Sequence, residues 1–213
     1  MNMMKLFRFD VMALGFNAVI PVFCLCVTMI YAVLTHHNEA YYLPAMEYII
    51  PAAGVWWTIC IFYNILEEEG SETLFTYPVS RFYYGAYRAA VFFILYIVIV
   101  FISFHFIVQY TDYKQLLAYF IQIAVQTFFI CGLGLLSMVL VRQIGWALFV
   151  IMGYCFTQIL SRGSLVPLLN IYYFRGELPD DYSWDRKLLL TLIAGITWWA
   201  VAQAILQKSQ RYA

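Results

Sequence analysis

An all-α integral membrane protein is the fold class this sequence predicts, and three observations predict it. Hydrophobic residues make up 64% of the 213 residues and charged residues only 11%, where a soluble domain carries about 25% charged. A water-soluble fold of this size cannot bury that much apolar surface and still present a polar exterior. The apolar residues fall in continuous runs long enough to span, each needing about 20 residues. Aromatic residues reach 20%, rich in Tyr and Trp, which favour the membrane–water interface.

Six spans follow in order, at 11–34, 44–66, 89–108, 116–141, 144–160 and 188–206, within one transmembrane domain covering 1–213. The first follows Lys5 and Arg8, as a signal peptide would. It is long enough to span and no small-residue cleavage pattern follows it, so it is read as retained. The second contains Pro51, and the fifth is the shortest. In hydrocarbon each must be helical, because a helix satisfies its own backbone hydrogen bonds. Continuous runs exclude an outer-membrane barrel, which needs alternating segments of about ten residues.

Basic residues at the span ends set the orientation. With both termini cytoplasmic, Lys5, Arg8, Arg81, Arg88, Arg142, Lys208 and Arg211 lie inside, and Lys114, Arg162, Arg175, Arg186 and Lys187 lie outside. Four of the outside charges sit in the long loop before the last span. That loop also holds the apolar run Leu165–Tyr173, too short to span. A re-entrant or interfacial segment is one reading and a surface loop the other. Met3–Asp10 mixes Leu6, Phe7 and Phe9 with Lys5 and Arg8, as an interfacial helix or a frayed tail would.

Charge and cysteine usage exclude other classes. Twelve basic residues balance twelve acidic ones with no basic stripe, so nucleic acid is not an expected partner. Cys24, Cys26, Cys60, Cys131 and Cys155 all lie in apolar runs and read as small hydrophobes, with neither a metal site nor a disulfide framework. No H-E-x-x-H, no G-x-S-x-G and no aspartate inside a span is present, which argues against an intramembrane enzyme. The neighbouring His36 and His37 read as loop polarity. Glu47, three residues into the second span, is the only acid within a span and reads as near the membrane surface. The scarcity of such groups argues against proton coupling. The polar residues deepest in the spans include Asn17, Asn64, Gln122 and Gln126, candidates for a translocation path. Gln122 and Gln126 share a helix face by their four-residue spacing. Hydrogen bonding between helices is the simpler reading of that pair. Gly132-x-Gly134 lacks the rest of a phosphate loop and reads as close helix packing.

The inner loop between spans two and three is the most polar stretch on that side. It runs from Glu67, Glu68 and Glu69 to Arg88. Ser71 is placed to cap a short helix and Pro78 to end it. The pattern Glu69-Gly70-Ser71-Glu72-Thr73-Leu74, followed by Tyr77-Pro78-Val79-Ser80-Arg81, resembles the cytoplasmic loop of type-2 ABC transporter permeases. There an acidic residue, Gly, Thr or Ser, Glu and Leu precede Pro-Val-Ser-Arg, also between the second and third of six spans. The match covers about a tenth of the chain. The order of loops extends it: a short inner turn at Arg142-Gln143 and a larger outer loop before the last span. Phe75, Thr76 and Tyr87-Arg88 depart from the common pattern.

The resemblance implies that the loop forms a coupling helix docking on a separate cytoplasmic ATPase subunit. Glu68, Glu69, Gly70, Glu72, Leu74, Pro78 and Arg81 are the implied docking residues, with Arg142 in a smaller second contact. It implies that ATP and Mg are bound by that partner and no cofactor by this chain. A second permease chain, identical or different, is implied as well. The implied activity is export across the cell membrane, without enzymatic chemistry on this chain; a path as apolar as these spans suits an amphipathic or peptide-like cargo. No G-x-x-x-x-G-K-[ST] occurs in the sequence. A stand-alone channel or carrier is the alternative.

Overall fold

The structure is a computed structural model that describes residues 10–36, 38–67, 82–106, 112–178 and 185–208. Six long helices organise it: α1 (Ile20–Leu34), α2 (Glu39–Cys60), α3 (Arg88–His105), α4 (Tyr113–Val141), α5 (Ile144–Ser161) and α6 (Arg186–Lys208). No strand occurs among the described residues.

α4 is the central post. It is buried along most of its length and packs on α6 and on α2, while α5 and α3 cover the remaining sides. Its two glycines make the close approach possible. A Cβ on Gly132 would run into the Trp199 ring on α6, and one on Gly134 into the Val55 and Ile59 side chains on α2. Small residues at such crossings let helix backbones approach.

The expected spans fall close to the observed helices, with two instructive differences. The first run is broken. A helix from Asp10 to a 3-10 turn at Gly15–Ala18 meets α1 at 43°. Gly15 sits at φ +51°, and Pro21 removes the N–H that the Asn17 carbonyl would accept. The second helix begins at Glu39 rather than 44, because the Asn38 side chain accepts the Ala40 N–H as an N-cap. Pro44 and Pro51 are then absorbed inside it.

Among the described residues four helices are long and apolar enough to cross a membrane: Gly85–His105, Tyr113–Val141, Ile144–Ser161 and Arg186–Lys208. Counting the bent pair Asp10–Ala18 and Ile20–Leu34 as one gives five. α2 has the length but carries Glu39 and Glu47, and its polar face is enclosed by protein. The outer surface inverts the soluble pattern. Ile94 and Val98 on α3, Trp146 and Phe149 on α5, and Ile193 and Ile196 on α6 are all exposed. Such a surface is compatible with hydrocarbon as its solvent.

Candidate functional site

Polar groups concentrate at the two ends of the bundle. At the end where α2, α4 and α6 begin, a buried carboxylate gathers three segments. Glu47 lies eight residues into α2, about 12 Å along its axis, and is 2% exposed. It is enclosed in protein, because the segment at 171–174 after α5 folds over it. Gln122 and Gln126 on α4 donate to its Oε1 at 3.2 and 2.7 Å. The backbone N–H of Tyr173 donates to Oε1 at 2.5 Å and that of Phe174 to Oε2 at 3.1 Å. Phe174 is at φ +55°, so successive N–H groups form a concave nest of the kind that cradles anions.

The described part of the loop after α5, residues 162–178, is therefore held rather than loose. α5 ends on Arg162 at φ +47°, with the Gly163 N–H returning to the Gln158 carbonyl, a Schellman-type stop. A 3-10 turn at Pro167–Leu169 follows. Ile171 and Tyr172 are buried, and the Tyr172 hydroxyl donates to Cys155 Sγ at 3.3 Å. Gln126 also donates to the Ile171 carbonyl at 2.7 Å, and Glu39 accepts the Leu178 N–H at 3.0 Å. Lys187 donates to the Tyr172 carbonyl. The Tyr173 ring carries Arg175 and Lys187 over it at 4.6 and 4.5 Å, cation–π contacts that add to the hold. The apolar run flagged in the sequence is thus packed against the bundle near its end, through Ile171 and Tyr172, while Leu165 stays exposed.

An ionisable side chain in this position is by default a candidate for ion transfer. The geometry here favours a latch. Four donors occupy the Glu47 oxygens, and two of them are backbone N–H groups that have no proton to exchange without breaking the fold.

At the opposite end three contacts pin the flanks of the loop at 68–81. Glu67 accepts the Ile144 N–H at 2.8 Å, which caps α5 from a distance where Gln143 provides no side-chain cap. That contact sets the start of the loop beside Arg142, itself exposed and at φ +56°. On the far flank, a π-turn at Tyr83–Tyr87 breaks at Gly85 (φ −97°, ψ −115°). Gln203 of α6 accepts the Ala86 N–H there at 2.8 Å. Arg88 then forms a buried two-bond ion pair with Asp10, Nε to Oδ2 at 2.7 Å.

Glu68, Glu69, Gly70, Glu72, Leu74, Pro78 and Arg81 lie outside the described residues. Among the path candidates, Gln122 and Gln126 come together on Glu47. Asn17 is exposed in the 3-10 turn. Asn64 belongs to the short helix Tyr63–Leu66, and its side chain is outside the described set. Glu47, Glu67, Asp10 and Gln203 were missed as partners. An acid alone in an apolar run was the signal for the first, but nothing local marks the others. Among the described residues no cluster of His, Cys, Asp and Glu fit to hold a metal occurs. Compared with protein-family models, with curated proteins and with solved structures, the chain matches none.

Proposed function

We propose that the chain is the membrane-spanning subunit of an ATP-driven ABC exporter whose ATPase is a separate protein. In this reading the chain crosses the cell membrane six times. The bent first pair counts as one span and α2 as another, shielded from lipid by its neighbours, with both termini cytoplasmic. The observation that carries the proposal is the motif Glu69-Gly70-Ser71-Glu72-Thr73-Leu74 and Pro78-Val79-Ser80-Arg81, placed between the second and third helices. The pinned flanks support it. One end of the loop is tied through Glu67 to α5, and the other through Ala86 to α6 and through Arg88 to the helix before α1. A displacement of the loop is then passed to several helices as rigid-body movement, a two-state element biased by the partner's nucleotide. The cargo is amphipathic or peptide-like and passes between this chain and a second permease chain. ATP and Mg belong to the ATPase.

Co-purification tests this. The tagged chain is extracted in mild detergent from its native host. Recovery of a cytoplasmic protein with a phosphate loop, lost in Glu72→Arg while membrane insertion persists, is the expected result. Intact chain with no ATPase, in wild type as in the variant, replaces the proposal with a stand-alone channel or carrier.

A further inference from the structure

A cleft of about 350 Å³ opens between the 3-10 turn at Pro167–Leu169, the extended segment after it, and the first two turns of α6. Its volume lies within the range of about 300–1,000 Å³ typical of small-molecule sites. Its lining is of two kinds: Arg186 and Lys187 are cationic, and Phe129, Ile171, Leu190 and Ala194 make an apolar wall. Among the described residues no carboxylate lies within ion-pair distance of either cation. Arg186 is exposed, and Lys187 commits one hydrogen bond to the Tyr172 carbonyl. Two cations at the start of a helix are opposed by the positive end of its dipole. An anion placed between them would offset both.

The apolar wall restricts the class of that anion. Leu190 lines the cleft and is itself 49% exposed, and Leu189 and Ile193 beside it are exposed on α6. The cleft is therefore continuous with the apolar outer face of α6. A ligand with a charged head and a hydrocarbon tail satisfies the cations and covers the wall without leaving apolar surroundings. A small hydrophilic anion leaves the wall uncovered.

We propose that this cleft binds an acidic lipid of the surrounding bilayer, its phosphate or carboxylate head on Arg186 and Lys187 and its chain along Leu190 and Ala194. The site is independent of ATPase docking, since it lies at the other end of the bundle from Glu67 and Phe82, and its test uses this chain alone.

The full chain is placed in nanodiscs of phosphatidylcholine and irradiated with a diazirine-bearing fatty acid, and the adducts are mapped by peptide mass spectrometry. Adducts concentrated on the first two turns of α6, at Leu190 above all, are expected. Phosphatidic acid should compete them away, and extra phosphatidylcholine should not. Arg186→Gln, at an exposed position, should weaken labelling about tenfold. Ala194→Phe should fill the cleft and abolish it, with unchanged elution of the variant as the check on folding. Adducts spread evenly over the exposed faces of α3 and α5, or equal competition by phosphatidylcholine, would overturn the site. Competition by inorganic phosphate alone, at the strength of phosphatidic acid, would show an anion site without a lipid chain and overturn it equally.

Discussion

Glu47→Gln isolates the latch that holds the loop after α5. The substitution keeps shape and removes the charge. The new amide oxygen can stand where Oε1 stood and still accept from Gln122, Gln126 and Tyr173. Each of these bonds loses its charge assistance, about 1 kcal/mol apiece. The new NH2 group then faces the Phe174 N–H, donor against donor, where Oε2 had accepted at 3.1 Å. Leaving that donor unsatisfied costs a further ~1–3 kcal/mol. The neutral amide is easier to bury than the carboxylate, which offsets part of the sum. The net loss is about 3 kcal/mol, or roughly a hundredfold in the equilibrium between closed and open loop. Cys155 reports it, being 6% exposed beneath Tyr172, and Cys131, fully buried in α4, reports global unfolding. With Cys24 and Cys26 replaced by Ser, a membrane-permeant thiol reagent should label Cys155 about a hundredfold faster in the variant. Cys131 labelling should change far less. Equal rates at Cys155 in the two proteins, or a rise matched at Cys131, would refute the latch.

Three further outcomes follow from other contacts. Asp10→Leu or Arg88→Met alone should destabilise by about 3–5 kcal/mol, since either leaves a buried charged partner uncompensated, whereas the double variant, apolar on both sides, should recover most of it; thermal melts of the four proteins in detergent decide this. Gly134→Leu should disrupt the α2–α4 crossing, where even a Cβ meets Val55, lowering the melting temperature by more than the same change at Gly153, which faces open space. Burial, with Asp185 nearby, pushes the Tyr173 phenol up to about 12, from about 10 in an unfolded chain. Because the unfolded chain then loses its proton first, this group's contribution is complete below pH ~10 and is lost as pH rises toward 12. A Tyr173→Phe variant should show a smaller decline in melting temperature over that interval.

Helices were legible in this sequence because hydropathy is a local property, and the ends of the last four fall within about three residues of the runs, whereas α2 covers Glu39–Cys60 against a run at 44–66. The departures have local causes that hydropathy ignores. Asn38 starts α2 by capping it, and Gly15 with Pro21 bends the first run without interrupting its apolar character. The partners of the polar residues were less accessible. Glu47 meets a nest more than a hundred residues away, and Glu67 caps a helix that begins at Ile144. No spacing rule joins such positions. Yet one inference was within reach. Gln122 and Gln126 stand on one face of an otherwise apolar helix, and amides there need an acceptor outside their own helix. The spans as read from the sequence contain a single acid. Donors in surplus on one span and a lone acceptor on another point to each other, since each is costly to bury without its counterpart. The same reasoning marks Gln158, which is 1% exposed with neither side-chain atom partnered among the described residues. Enclosed within this chain, where no second subunit reaches it, an amide left without a counterpart costs about 1–3 kcal/mol, and an internal water is the partner its depth allows.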